Sequence, residues 1–285
     1  KKLAEHAGVK VSNLLLTNAT DEAISVIMQT YINQGDEIIL PVPTFAMFKF
    51  YADLVGAKIT EVLYNKDLKF PIKPVLQKIS KKTKIVVIVN PNNPTGTSIK
   101  QEDIVKILEK AKNSIVLVDE AYVQFNKDSA IDLIRKYDNL VVIQTFSKAF
   151  GLGGLRLGYI VSNDAVIKII GKVLSPYSVN TAVVRAASAA LDDKDYVDWY
   201  IKEVEKARKY VFEQFKDMKI KIYETNANFF LAKFKNAPEV AEKLKEKGIL
   251  VRDRSNYPLL SGCLRITIGS KNQMKQLINA LKEII

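Results

Sequence analysis

A lysine, an aspartate and an asparagine stand at positions in this chain where they could do chemistry together. Lys148 lies in the stretch TFSKAFGLGGLRLGY, just after a short apolar run, and its neighbours Phe146 and Phe150 are apolar. Removal from water favours the neutral amine, which is the form that condenses with a carbonyl to give a Schiff base. Asp119 precedes Lys148 by 29 residues, and Asn93 precedes Asp119 by 26 residues. The alternative for Lys148 alone is a solvated lysine at a strand end.

The other polar residues of this set also have ordinary structural explanations. Asp119 directly follows an apolar run, where a carboxylate needs a partner, but it could simply cap the next helix. Asn93 lies in NPNNPTG, a sequence that favours a tight turn. Thr20 and Asp21 open a helical pattern, so they could cap it or present backbone N–H groups to a phosphate. Taken one at a time, these residues leave both explanations open.

Short apolar runs alternate with helical patterns through the first two thirds of the chain. The runs lie at residues 13–16, 37–40, 84–89, 114–118, 140–143 and 157–161. Amphipathic patterns at 21–33 and 101–112 separate some of them, the second with Ser98 and Gln101 in capping-box spacing. This alternation predicts an α/β fold with a mostly parallel sheet flanked by helices.

Polar or special residues follow four of these runs, at 17–20, 90–96, 119–122 and 145–148. In open parallel sheets, ligands bind outside the carboxyl ends of the strands. We therefore expect the four segments to converge on one crevice.

The pattern changes near residue 192. A long amphipathic helix is predicted at 192–218, with Tyr196 and Tyr200 on its apolar side. Strands at 228–234 and 263–268 and helices at 238–247 and 271–284 follow. We predict a large domain over residues 1–191 and a smaller α+β C-terminal domain over residues 192–285 that includes the long helix as a bridge.

Composition narrows the function classes. The 285 residues are 48% hydrophobic and 26% charged, which is ordinary for a globular protein. No apolar run approaches the roughly 20 residues of a membrane helix, so no membrane partner is expected. The net charge of +12 comes from lysines scattered among acidic residues without a compact basic block. This pattern favours an anionic substrate or cofactor over a nucleic acid.

The chain contains one cysteine and one histidine, Cys263 and His6. A single cysteine excludes an intrachain disulfide framework and favours a reducing compartment, for which we expect the cytoplasm. With one thiol and one imidazole, the chain has too few of the usual zinc ligands, which argues against a metal site. The first residues resemble the middle of a helix and no initiating Met is present, so we expect an N-terminal segment to be missing from this sequence.

The motifs NNPTG, DEAY and SKAF, in this order and followed by Arg156, together resemble the fold-type I pyridoxal-phosphate aminotransferases. The resemblance extends over nearly the whole chain. The segments PTFAMF, PYSVNTAVVRAA and SGCLRITIG look most like the histidinol-phosphate aminotransferases within that family. The resemblance implies pyridoxal 5'-phosphate as cofactor, L-histidinol phosphate as amino donor in histidine biosynthesis, and 2-oxoglutarate as the 2-oxo acid acceptor. It also implies a homodimer with sites near the subunit interface.

The resemblance implies a role for each matching position. Lys148 would bond to the cofactor and shuttle a proton, Asp119 would pair with the ring nitrogen, and Phe45 would stack on the ring. Asn93 and Tyr122 would hydrogen-bond the phenolic oxygen, and we count Tyr122 with Lys148 and Asp119 as catalytic. The cofactor phosphate would be held by Ala19, Thr20, Thr145, Ser147 and Arg156.

Two arginines match the family's binding residues for the acidic group of the substrate. Arg265, in CLRIT, and Arg252, thirteen residues before it, would bind that group together with Asn93. The planar guanidinium fork suits carboxylates and phosphates. An ion pair between the domains is the alternative for Arg265. Arg254 matches no family residue, and an ordinary loop position explains it equally well.

Three departures from the family pattern are visible. The first phosphate-binding loop, TNATDE, contains no glycine, so close approach of its backbone at Ala19 is less free. Phe45 lacks the hydroxyl of the tyrosine common at its position. The N-terminal arm that covers the substrate in relatives, and that supplies a tyrosine to the neighbouring subunit, is absent from these residues.

Other functions are compatible with the same residues or the same fold. An aromatic or broad-specificity amino-acid aminotransferase, or a threonine-phosphate decarboxylase, could carry nearly the same residues. A ligand-sensing domain of a regulator could share the fold, although the intact lysine and asparagine argue against it. A basic nucleic-acid-binding protein would show salt-dependent binding and no yellow colour.

Overall fold

The larger sheet has seven strands, most of them parallel. A computed structural model describes residues 1–126 and 128–285. The strands are β1 (Leu14–Asn18), β2 (Glu37–Val42), β3 (Lys58–Leu63), β4 (Thr83–Val89), β5 (Ile115–Asp119), β6 (Leu140–Thr145) and β7 (Leu157–Val161). Their order is β1-β7-β6-β5-β4-β2-β3, and β7 runs antiparallel to both of its neighbours. The mostly parallel sheet predicted from the alternation is confirmed.

Helices cover both faces of this sheet, which is why its central strands are apolar throughout. The helices are α1 (Lys2–Ala7), α2 (Ala19–Tyr31), α3 (Ala46–Leu54), α4 (Ile72–Lys78), α5 (Gln101–Lys110), α6 (Val123–Asn126), α7 (Asp164–Ile170) and α8 (Thr181–Asp192). Successive residues of β4 point to opposite faces: Val86 and Ile88 pack with α5 and α8, whereas Ile85 and Val87 pack with α2, α3 and α7. Each face therefore has its own buried core.

A smaller antiparallel sheet and its helices form the C-terminal part. The elements are α9 (Lys194–Asp217), β8 (Lys221–Ile222), β9 (Phe229–Lys233), α10 (Ala237–Glu246), β10 (Arg252–Asp253), β11 (Cys263–Thr267) and α11 (Lys271–Ile284), with strand order β10-β11-β9-β8. Val211 and Phe215 of α9 pack on Phe230 of β9 in the core of this part. Across the described parts of the chain, we find no helix with the length and apolarity needed to cross a bilayer.

The structure corrects several details of the sequence prediction. Ser98 and Gln101 form no capping box, because α5 begins after Lys100 and the Gln101 amide donates to the Ser129 carbonyl, 3.2 Å away. The long helix begins later than predicted, at Lys194. Tyr196, expected on its apolar side, is 44% exposed. Three strands were missed: β3, in which Lys58 and Glu61 interrupt the apolar residues, and the two-residue strands β8 and β10.

Candidate active site

A cavity of about 180 Å³ opens at the carboxyl ends of the large sheet. It receives residues from the segments after β1, β4, β5 and β6, which are the four segments expected to converge there. Its lining residues are Ala19, Thr20, Asp21, Phe45, Val89, Asn93, Asp119, Ala121, Tyr122, Thr145, Ser147, Lys148, Gly153 and Arg156. Every residue that the sequence assigned to the cofactor lines this cavity, whereas Arg252 and Arg265 do not.

Asp119 is the last residue of β5 and is 3% exposed. One of its carboxylate oxygens accepts a hydrogen bond from the Ala121 N–H, 3.0 Å away, and no further donor among the described residues contacts the carboxylate. Burial raises the pKa of Asp119 to about 7, against the opposing effects of the Ala121 hydrogen bond and the charge of Lys148. A cationic group in the cavity would keep this carboxyl ionised.

Lys148 lies in the turn after β6, and that turn is fixed by its apolar neighbours. The rings of Phe146 and Phe150 are both buried, with centroids 4.6 Å apart. The Lys148 amine lies 5.3 Å from the centroid of the Tyr122 ring. Among the described residues, no carboxylate lies within the 4.0 Å of an ion pair with this amine. The amine is therefore available for chemistry instead of being engaged in a structural contact.

Residues suited to a phosphate cluster around the N-terminus of α2. The Ala19 N–H donates to the Arg156 carbonyl, 3.1 Å away, and the Arg156 guanidinium donates to Asp21, 2.6 Å away. The hydroxyls of Thr145 and Ser147 lie 2.8 Å apart in the adjoining turn. A helix N-terminus, two hydroxyls and a guanidinium together form a favourable anion site.

The glycine-free loop after β1 contains a strained backbone position at Ala19. Ala19 adopts the left-handed conformation, with φ of 60°, which glycine would enter freely. This conformation costs an alanine about 1–2 kcal/mol. The strand that packs behind the loop carries a glycine instead, Gly158 of β7, and this residue allows the first turn of α2 to approach.

We expect Gly158→Ala to weaken cofactor binding. The added Cβ would lie 2.5 Å from the Ala19 carbonyl carbon and 2.7 Å from the Thr20 nitrogen, so the backbone at the start of α2 must move. Overpacking of this kind destabilises a fold by about 1–3 kcal/mol. The cofactor dissociation constant should rise more than about tenfold, equivalent to about 1.4 kcal/mol. Titration of cofactor-free protein with pyridoxal phosphate, beside a thermal melt, measures both effects.

Gly154→Ala is the matched control, because a Cβ at that position meets no atom of the described residues within 4 Å, apart from its chain neighbours. It should bind the cofactor as the unmodified protein does. Equal dissociation constants for the Gly158 and Gly154 variants would contradict the placement of the phosphate against α2.

Asn93 connects the cavity to the small sheet. Its side-chain oxygen accepts a hydrogen bond of 2.6 Å from the Arg265 guanidinium, which lies 5.1 Å from the centroid of the Phe229 ring. Burial, followed by the positive charges of Arg254 and Arg252, lowers the pKa of Arg265. Arg252 is exposed on β10 and stands opposite Arg265 in the strand register. The alternative of an inter-domain ion pair finds no support, because no carboxylate of the described residues lies within 4.0 Å of Arg265.

Two side-chain roles that were not predicted from the sequence help to position this site. Asp21 lines the cavity and holds Arg156; its place in the first turn of α2 was the only signal. Asn92 is fully buried, accepts from the Thr44 hydroxyl at 2.7 Å and donates to the Pro43 carbonyl at 2.9 Å. It thereby ties the loop that carries Phe45 to the loop that carries Asn93, although it could be read in the sequence only as part of a turn.

The remaining aromatic residues form walls of the cavity. Tyr122 is buried and packs edge-on against Phe229, with centroids 5.0 Å apart. Phe45 packs edge-on against Phe48 of α3. An unsolvated carboxylate, an amine and an anion-binding cluster thus lie between apolar walls. This set fits the ring nitrogen, the aldehyde and the phosphate of pyridoxal phosphate.

Comparisons with known proteins agree with this arrangement. The family model "Aminotransferase class I and II" matches residues 1–281. The chain is 41% identical to the histidinol-phosphate aminotransferase of Caldanaerobacter subterraneus subsp. tengcongensis and 42% identical to that of Thermoanaerobacter pseudethanolicus, covering 100% of this chain and 81% of each relative. The histidinol-phosphate aminotransferase of Sinorhizobium meliloti, solved with pyridoxal-5'-phosphate, superposes with a TM-score of 0.92 at 24% identity, covering 99% of this chain and 79% of that protein. The last match supports the fold.

Proposed function

Because this chain belongs to the class I and II aminotransferases, we propose that it transfers the amino group of L-histidinol phosphate to 2-oxoglutarate in histidine biosynthesis. The observation that carries the proposal is the cavity holding Lys148 and Asp119, which Asn93 joins directly to Arg265. This link supports a reacting amine and a binding site for an acidic group that lie close together. The names of the relatives support the choice of substrate.

The residues of the cavity account for each part of the cofactor. When bound, pyridoxal phosphate supplies an aldehyde that condenses with amines and a ring that takes up electrons. Asp119 would hold the ring nitrogen, Asn93 and Tyr122 the phenolic oxygen, and Phe45 one face of the ring. The phosphate would be held by Ala19, Thr20, Thr145, Ser147 and Arg156.

The chain's own groups then perform three tasks. The Lys148 amine accepts a proton from the amine-bearing carbon of the substrate and returns a proton later in the reaction. The Asp119 carboxylate would stabilise the protonated ring nitrogen of the bound cofactor, since a buried negative charge stabilises a neighbouring cation. Tyr122 and Phe45 exclude water from the reacting atoms, which strengthens these electrostatic effects.

Both substrates carry acidic groups, so one arginine site can serve them in turn. Arg265 would bind the phosphate of the donor and then a carboxylate of the 2-oxo acid, with Arg252 and Asn93 beside it. This sharing fits a ping-pong sequence in which one product leaves before the second substrate enters.

We also infer a homodimer with its sites near the interface. Phe50, Leu54 and Leu63 are more than half exposed, and Phe50 lines a second cavity that also contacts Phe45. Exposed large apolar side chains this close together mark a contact surface.

A substrate panel tests the proposal. We expect kcat/KM for L-histidinol phosphate with 2-oxoglutarate to exceed that for aromatic amino acids by about 10²-fold or more, because the arginine site recognises the phosphate. Glutamate formation measures transfer, and carbon dioxide release from phosphothreonine measures the competing decarboxylation. Release of carbon dioxide, or equal rates with phenylalanine and histidinol phosphate, would contradict the assignment.

A further inference from the structure

Three arginines of the small sheet gather on one side of two adjacent strands. Arg252 of β10 stands opposite Arg265 of β11 in an antiparallel register. The Arg254 N–H donates to the Cys263 carbonyl, 2.9 Å away, which extends the pairing beyond the end of β10. Because side chains alternate along a strand, positions 252 and 254 share a face with position 265.

The positive charge of this group is not neutralised by the chain. Among the described residues, none of the three arginines has a carboxylate oxygen within 4.0 Å. The Nε atoms of Arg254 and Arg265 are both buried and find no hydrogen-bond acceptor in the part of the chain that the structure describes. Buried donors are normally satisfied, so two unsatisfied guanidinium donors beside one another indicate a missing anionic acceptor.

The position of Arg254 is not explained by a structural task of its side chain. The turn that follows β10 is closed by the backbone, since the Tyr257 N–H donates to the Arg254 carbonyl at 2.9 Å. The guanidinium lies 5.0 Å from the centroid of the Tyr257 ring, and a stack of this kind also leaves its edge donors free for an anion. The side chain is therefore held in place while its donors stay unused.

We propose that Arg254 is a third arginine of the site for the substrate's acidic group, and that it sets the preference of this site for a doubly charged phosphate over a singly charged carboxylate. The inference rests on the proposed function. One donor of the Arg265 guanidinium already bonds Asn93. A carboxylate needs no more than one guanidinium with two parallel donors. A phosphate monoester carries a charge of about −1.5 to −2 at neutral pH and three acceptor oxygens, so it gains more from a second, half-buried guanidinium.

Steady-state kinetics of Arg254→Met and Arg254→Lys test this role. The methionine variant keeps most of the side-chain length and should raise KM for L-histidinol phosphate about tenfold through loss of a charge-assisted contact. Its kcat should stay within about twofold, and KM for 2-oxoglutarate within about threefold, because Arg265 is intact. The lysine variant keeps the charge without the fork and should fall between the methionine variant and the unmodified protein.

Arg135→Met is the matched control, because it removes the same charge at an exposed position where the guanidinium donates to the Gly8 carbonyl, 2.8 Å away. It should leave both KM values unchanged. A thermal melt of each variant shows whether the fold is intact.

Binding of inorganic phosphate to the cofactor-loaded protein separates this inference from the proposed function. In that form the cofactor's own phosphate site is filled, so calorimetric titration reports the arginine site. The dissociation constant should rise about tenfold in Arg254→Met and stay constant in Arg135→Met, even if L-histidinol phosphate is not turned over. Unchanged phosphate binding, or an equal rise of both KM values together with a lower melting temperature, would overturn the inference.

Discussion

Replacement of Lys148 by alanine is expected to lower turnover by about 10³-fold or more, because the variant loses the group that moves the proton. The fold should survive, since the surrounding turn is held by Phe146 and Phe150 and not by the amine. Among the described residues the amine forms no hydrogen bond or ion pair, and it lies 5.3 Å from the centroid of the Tyr122 ring. Single-turnover kinetics measure the loss of rate, and circular dichroism with a thermal melt shows whether the fold is intact.

A control variant and chemical rescue by an added amine accompany this test. Lys168→Ala, at an exposed position on α7, should keep the full rate. Addition of a small primary amine should restore part of the rate to Lys148→Ala, because the missing function is that of a free amine. Normal turnover by Lys148→Ala without added amine would contradict the role of Lys148.

The second largest effect is expected for Asp119→Asn. Asparagine keeps the size of the side chain and an oxygen for the Ala121 N–H, but it removes the buried negative charge. Loss of such a fixed charge at a reacting centre lowers kcat by about 10²–10³-fold. Glu120→Gln is the contrasting variant, because Glu120 bonds the Ser129 hydroxyl and the Ala130 N–H outside the cavity. It should reduce stability much more than rate, and equal rate losses in both variants would contradict the assignment.

Asp119→Asn should also change how stability depends on pH in the cofactor-free protein. Burial raises the pKa of Asp119 from 3.8 to about 7, and burial raises that of Glu120 from 4.5 to about 7. The folded chain therefore binds more protons than the unfolded chain between these values. The free energy of unfolding should fall as the pH rises through this range, by at most about 1.4 kcal/mol per pH unit for each group.

Urea denaturation at a series of pH values measures this slope. The Asp119→Asn variant should lose the contribution of Asp119 to the pH dependence, so its free energy of unfolding should change less with pH. The contribution of Glu120 should remain. A free energy of unfolding that rises with pH over the same range, and does so equally in both proteins, would contradict an unsolvated carboxyl at position 119.

The large sheet could be predicted well because its strands are continuous apolar runs. The run at 157–161 coincides with β7, β4 begins one residue before its predicted start, and β5 is shifted by one residue at both ends. β3 was missed because Lys58 and Glu61 interrupt its apolar residues on an exposed edge strand, where burial does not dictate the sequence. Helix starts were predicted unevenly: α5 and α11 begin at the predicted residues Gln101 and Lys271, whereas α2 begins two residues earlier and α9 two residues later than predicted.

The site was predictable where chemistry and spacing along the chain coincide, as for Asn93, Asp119 and Lys148. Contacts between distant segments were not. The hydrogen bond between Asn93 and Arg265 joins residues 172 positions apart, and nothing in either local sequence indicates it. The same holds for the unsatisfied Arg254 guanidinium, because lack of an acceptor is a property of the packed molecule.

The most direct test of the central claim is to find the atom that carries the cofactor. Borohydride reduction of the loaded protein should fix pyridoxal phosphate covalently, and mass spectrometry of the digested protein then locates the modified residue. We expect the added mass on the peptide that contains Lys148, at one cofactor per chain. Modification of a different lysine, or no covalent cofactor on a protein that has bound it, would contradict the account.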